Sequence, residues 1–209
     1  MEDKAWGQKP SHHKTHTSSG DTPVFKEPST LENIDNRIFF YSEIERDKVL
    51  QLNRKVRELD NQHVVETQNR GLKDLPPIYL HINSFGGSIF AGLSAMDNLL
   101  QCKSKVTTVV DGVCASAATF VSVVGTKRMI TPHSFMLIHQ ISSMFWGKYS
   151  EFKDEAKNMK MFMDIIRGIY IKYTKIPEKE LKNIMDHDLF FDAKTCLKYE
   201  LVDEIICGK

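Results

Sequence analysis

The sequence predicts an α/β domain built on a mostly parallel sheet. Apolar runs of strand length alternate with amphipathic helical patterns, and short polar connections separate them. Gly86-Gly87 also lies between a strand pattern and a helix pattern, which is half of a βαβ unit. The 209 residues suffice for one sizeable domain plus a tail, divided here as 1–30 and 31–209.

In chain order, residues 1–30 are polar, with Met1, Ala5, Trp6, Val24 and Phe25 as their apolar side chains, and read as a disordered tail or pro-segment. They hold no h-region and no arginine, unlike a secretory or mitochondrial leader. Structure is expected from Leu31. Arg37–Tyr41 is a β-rich run. From Glu43 to about Gln62, Val49, Leu52, Val56 and Leu59 form one helical stripe, and Glu66–Pro77 reads as a polar loop. Ile78–Ile82 is a strand, Asn83–Ser88 a turn, and Ile89, Leu93, Met96 and Leu100 mark a helix face. Lys105–Val110 is the next strand, Asp111-Gly112 a turn, and the Ala-rich segment from Cys114 to Val124 favours helix with Gly125 as its stop. Arg128–Ile130 and Phe135–Ile138 are strands. Tyr149 to about Tyr173 is the longest helix pattern, apolar on more than one side. Pro177–Met185 is a shorter helix, Asp192 caps a last one over Ala193–Glu200, and Val202–Ile206 closes as a strand.

Composition narrows the function. A formal net charge of +1 offers no electrostatic footprint for nucleic acid or an anionic membrane, and no apolar run reaches the length of a membrane span. Cys102, Cys114, Cys196 and Cys207 show neither CxxC pairs nor zinc spacing, so they read as thiols in a reducing compartment, cytoplasm or organelle interior. His12, His13 and His16 cluster in the tail and read as solvated.

Candidate reactive residues are individually weak. Ser116 sits at an expected helix start, where unpaired N–H groups can receive an oxyanion, although most such serines are caps. Gly86 permits close backbone approach and is a candidate oxyanion donor. The loop lacks both GxGxxG and GxxxxGK[ST], which removes the phosphate-binding reading. His139 ends an apolar strand, where it projects toward a sheet-edge crevice or serves structure. Asp186, Asp188 and Asp192 cluster before the last helix. Asp192 is better read as its cap, and spacing alone does not choose between Asp186 and Asp188.

Together, Tyr79-Leu-His-Ile-Asn-Ser-Phe-Gly-Gly-Ser88, Gly112-Val-Cys-Ala-Ser-Ala-Ala118, Met136-Leu-Ile-His-Gln140 and Met185-Asp-His-Asp-Leu-Phe-Phe191 resemble the ClpP family of serine peptidases, in that order, over about residues 36–206. The resemblance implies Ser116 as nucleophile, His139 as base and Asp188 as the aspartate that orients the imidazole, with the N–H groups of Gly86 and Ala117 as oxyanion donors. It also implies a crotonase-like fold of repeated ββα units with a protruding strand-helix handle, to which Tyr149–Tyr173 corresponds. Heptameric rings stacked as a tetradecamer, polypeptide substrates, an AAA+ unfoldase partner and no cofactor complete what it implies. The sequence departs from the family pattern at Phe85, where proline is usual, and at Ser142-Ser-Met-Phe-Trp146, where the handle usually begins with glycines. The rival readings are a catalytically silent ring subunit and a crotonase-fold enzyme acting on acyl-CoA thioesters. A membrane-associated relative that digests signal peptides is disfavoured by the missing span.

Overall fold

The structure, a computed structural model, describes residues 31–206. The expectations for the 1–30 tail and for Cys207 lie outside the described residues.

In chain order, β1 (Leu31–Ile34) and β2 (Arg37–Phe40) form a hairpin, followed by α1 (Arg46–Arg70), β3 (Ile78–Ser84), α2 (Ile89–Leu100), β4 (Val106–Ala115) and α3 (Ala118–Val123). Then come β5 (Lys127–Ile130), β6 (Phe135–Leu137), α4 (Tyr149–Tyr173), α5 (Glu178–Met185), β7 (Phe190–Asp192), α6 (Ala193–Lys198) and β8 (Glu204–Ile205). One eight-stranded sheet runs β1-β2-β3-β4-β5-β8, with β6 on the far half of β4 and β7 on β6. All pairs are parallel except β1 with β2 and β6 with β7, so the mostly parallel α/β sheet expected from the sequence is present.

Period-two alternation explains the layers. Ile38 and Phe40 of β2, Ile78, Leu80 and Ile82 of β3, and Val106 and Val110 of β4 join Val49, Leu52 and Val56 of α1 and Ala91, Ala95 and Leu99 of α2 in one buried cluster. Phe39 and His81, at the intervening positions, stack with ring centroids 4.5 Å apart on the opposite face. There Tyr41 donates its hydroxyl to Asp111 at 2.6 Å.

Several expected boundaries move. Helix α1 runs on to Arg70, into the segment read as loop. Its buried stripe continues through Asp60, His63 and Thr67, polar residues that hydrophobic periodicity does not register. Gly71, at φ 62°, ends it in the left-handed conformation. Asp111-Gly112 is not a turn, because β4 passes through it to Ala115, and α3 shrinks to Ala118–Val123. The strand β7, absent from the sequence reading, pairs with β6. Residues 141–148, at the start of the expected handle, form no strand. Helix α4 matches its expected range, yet only Ile166, Ile169 and Tyr170 are buried along it. Its C-terminal turns are anchored by Tyr170 to Thr119 at 2.6 Å and by Arg128, which donates to the carbonyl of Tyr173. Its N-terminal turns project from the body. Among the described residues, no helix is long and apolar enough to cross a membrane.

Asp60 ties α1 to the turn before β4. Its carboxylate accepts the N–H of Ser104 at 2.7 Å and of Lys103 at 3.1 Å. Burial pushes this carboxyl up, but those N–H bonds, the Ser104 hydroxyl and the Arg57 charge outweigh burial and hold it below its ordinary value. A depressed native pKa contributes stability above the unfolded value, and that stability is lost as pH falls through the native one. Asp60→Ala is expected to cost about 1–3 kcal/mol in urea unfolding near neutral pH. Between neutrality and pH ~3 the variant should lose less stability than the wild type. Equal acid sensitivity of the two proteins would remove the assigned role.

Candidate active site

Ser116 follows β4 directly and adopts φ 53°, the left-handed region that a non-glycine residue occupies only under constraint. The constraint is visible. Its N–H donates to the carbonyl of Leu137 at 2.9 Å, binding the end of β4 to the end of β6. Its own carbonyl accepts the N–H of Thr119 at 3.0 Å and the Thr119 hydroxyl at 2.6 Å. That hydroxyl also meets the phenol of Tyr170 at 2.6 Å, so α4 helps to hold the serine backbone. Burial pushes the Tyr170 phenol up, which keeps it neutral.

The bond from Ser116 to Leu137 sets His139 two residues beyond the pairing point. The next residue, Gln140, donates its N–H to the carbonyl of Met185 at 2.8 Å, which brings the end of α5 alongside. Asp188 lies just past that end, and its Oδ1 is 3.5 Å from His139 Nδ1. Among the described residues it is the carboxylate within ion-pair distance of that imidazole. This separates it from Asp186, which caps α5, and from Asp192, whose side chain accepts the Thr195 N–H at 2.8 Å as the sequence predicts. The spacing exceeds an ordinary hydrogen bond, as catalytic pairs often do without substrate. Asp188 is 79% exposed, so in a single chain the pair faces solvent.

Ser116, Ala117, His139 and Gly87 line one cavity of about 360 Å³, and α4 forms its far wall. Gly86, the donor expected from the sequence, is not among the lining residues. Its N–H donates to the Ser84 hydroxyl at 3.1 Å, and this occupied proton is the reason to correct the expectation. The carbonyl of Gly86 and the N–H of Ser88 bond to the backbone of Ile44, at 2.6 and 2.8 Å. The N–H of Gly87, between them, points the other way and has no partner among the described residues. Gly86 serves instead as a contact surface. A Cβ there would come within 2.6 Å of the Ser116 Cβ and 2.7 Å of the Ala115 carbonyl, at a φ of 102°. The sequence shows two glycines in a loop. Only the ladder to Ile44 distinguishes the one that faces the cavity.

A second serine, histidine and aspartate also meet. His63 Nδ1 is 3.2 Å from the Ser104 hydroxyl, and the Ser104 N–H donates to Asp60. All three are buried, at 5, 3 and 3% exposure, and the Asp60 oxygens bind backbone N–H groups rather than the imidazole. With no access to solvent, this group serves structure. The described thiols offer no rival nucleophile. Burial pushes Cys102 to about 11 and Cys196 to about 12, and raises Cys114 as well.

The family model for Clp protease matches residues 33–209. The chain is 34% identical over 131 residues to the ATP-dependent Clp protease proteolytic subunit of Deinococcus radiodurans, covering 62% of this chain and 64% of that protein. That is just under two thirds of the Deinococcus subunit's length. Proteins of the same description from Chlorella vulgaris and Chara vulgaris are 33% and 32% identical. The matches cover 79% and 86% of this chain, and 84% and 85% of the relatives.

Because Gly86 abuts Ser116, Gly86→Ala is expected to displace the serine and slow its labelling by a fluorophosphonate by about 10²-fold, with helical content retained by circular dichroism. Undiminished labelling would show that the contact does not position the hydroxyl.

Proposed function

The chain belongs to the Clp protease family, and from that premise we propose that it is the proteolytic subunit of an ATP-dependent Clp-type protease, a serine endopeptidase that cuts unfolded polypeptides. The carrying observation is a strained serine that shares a cavity with a histidine whose other ring nitrogen meets an aspartate.

In this reading His139 Nε2 takes the Ser116 proton as the hydroxyl attacks a peptide carbonyl. Asp188 holds the Nδ1–H tautomer and stabilises the imidazolium. The N–H groups of Gly87 and Ala117 receive the developing oxyanion, and no reorganisation is needed because the bond to Leu137 and the bridge to Ile44 already orient them. The amine departs with the proton from His139, and water then releases the acyl group through the same base. No step requires a metal or cofactor.

We further propose assembly into heptameric rings stacked as a tetradecamer and fed by an AAA+ unfoldase, within the cytoplasm or an organelle. Supporting it are Trp146, Tyr149, Phe152 and Met161, large apolar side chains exposed on or beside the first half of α4, and Ile165 further along it.

Two experiments test the proposal. A fluorophosphonate should label Ser116 in the assembled full-length protein. Ser116→Ala and His139→Ala should each lower peptide hydrolysis by at least about 10⁴-fold. An assembled ring that takes no label would instead be a silent subunit, and thioester turnover that survives Ser116→Ala would indicate acyl-CoA chemistry. Native mass spectrometry should find seven or fourteen copies, and a fully active monomer would refute the assembly.

A further inference from the structure

The cavity beside Ser116 has one feature that peptide hydrolysis does not require. Much of its wall is apolar, formed by Phe120, Met159, Phe162, Ile166 and the ring of Tyr170. Set into this lining is one acidic side chain, Glu155 of α4. Most neighbours of Glu155 on the first turns of α4 are exposed, whereas Glu155 is half-buried. Its one hydrogen-bond partner among the described residues is the Ser143 hydroxyl, at 3.4 Å, and no lysine, arginine or histidine among them lies within ion-pair distance. The other polar side chains of the cavity are neutral or, like His139, engaged elsewhere. An apolar trough that contains a carboxylate without a cation lacks a partner of defined chemistry.

We propose that Glu155 makes this cavity select peptides whose side chain at the scissile residue is long and positively charged, lysine or arginine. This rests on the reading of Ser116 as the nucleophile. The methylene stem of such a side chain packs along the aromatic and methionine wall while its head reaches the carboxylate. The contact is charge-assisted, and an arginine head can make it with two parallel bonds. An apolar side chain fills the trough but leaves the carboxylate desolvated without a partner, and an acidic one meets like charge. Discrimination therefore arises from repulsion as well as attraction.

The test uses the full-length, assembled protein and fluorogenic peptides identical except at the scissile residue, which is lysine, norleucine or glutamate. Norleucine matches the lysine stem without its charge. The wild type should show a higher kcat/KM for lysine than for norleucine. Glu155→Gln should lower that lysine-to-norleucine ratio about fivefold, the size expected of a half-exposed ion pair. Glu155→Lys should invert the preference and raise the glutamate-to-norleucine ratio above the wild-type value. Hydrolysis with the same lysine-to-norleucine ratio in wild type and Glu155→Gln overturns this inference alone. Failure of the wild type to cleave any of the three peptides, with no labelling of Ser116, overturns the catalytic reading and this inference together.

Discussion

The site depends on an irregularity in one strand. β3 advances from Ile82 to Ser84 while its partner β4 advances from Val110 to Cys114, so β4 carries extra residues at Asp111–Val113. Such a bulge bends a strand and re-aims the residues beyond it. Before the bulge β4 pairs with β3 and β5; beyond it β6 takes the place of β5, while Ser84 of β3 still pairs with Cys114. Gly112 allows the bend. It adopts φ 101°, and a Cβ there would come within 2.6 Å of the Asn83 amide nitrogen. Its N–H is retained by the Ser134 hydroxyl at 2.6 Å. Without the change of partner, Ser116 would not meet Leu137, and nothing would bring His139 to the serine. The chemistry proposed for the cavity is thus a consequence of sheet geometry.

Environment distinguishes the two serine-histidine-aspartate groups more than composition does. Around Ser104 the contacts run from 2.7 to 3.2 Å and the residues are buried, so the group is the more closely connected network, yet no substrate can reach it. Around Ser116 the distances are looser, the backbone is strained, and an unused N–H of Gly87 shares the cavity. A functional site keeps donors unsatisfied until substrate arrives, whereas a structural network satisfies its members at once. On that criterion the less complete group is the one proposed to react.

Much of the fold was legible in the sequence, because local patterns determine local elements. The range of α4 follows from its apolar spacing, the cap at Asp192 from its residue type, and β3 from alternation. What escaped is what depends on distant partners. The last turns of α1 are stabilised by buried polar residues that bond to the turn before β4, and the far half of β4 by pairing with β6. No feature of the sequence separates the N–H of Gly86 from that of Gly87, because the first is taken by the Ser84 hydroxyl and the second is left out of the bridge to Ile44, and both depend on the folded chain. Asp186 and Asp188 are likewise equivalent until the bond from Gln140 to Met185 fixes where α5 ends relative to His139. The motifs name the candidates, whereas where those candidates lie relative to one another depends on long-range hydrogen bonds.

Helix α4 joins two functions that are physically hard to separate. Its C-terminal turns enter the core at Ile166 and Ile169, and through Tyr170 and Thr119 they hold the carbonyl of Ser116. Glu155 near its start and Met159 and Phe162 beyond it line the cavity wall, while Tyr149 and Phe152 of the first turns are exposed. One continuous 25-residue helix thus runs from the exposed end past the cavity to the contact that holds the serine backbone. Contact between copies along the projecting turns would therefore bear on the shape of the substrate cavity as well as on ring size. Asp188 leads to the same coupling from the other side of the site. At 79% exposure in a single chain, its contact with the imidazole competes with water, and a neighbouring copy that covered it would strengthen the pairing by lowering the local dielectric. If copies do meet there, the proposed reactive groups would be held more tightly in the assembly than in an isolated subunit, and activity would depend on the same contacts that build it.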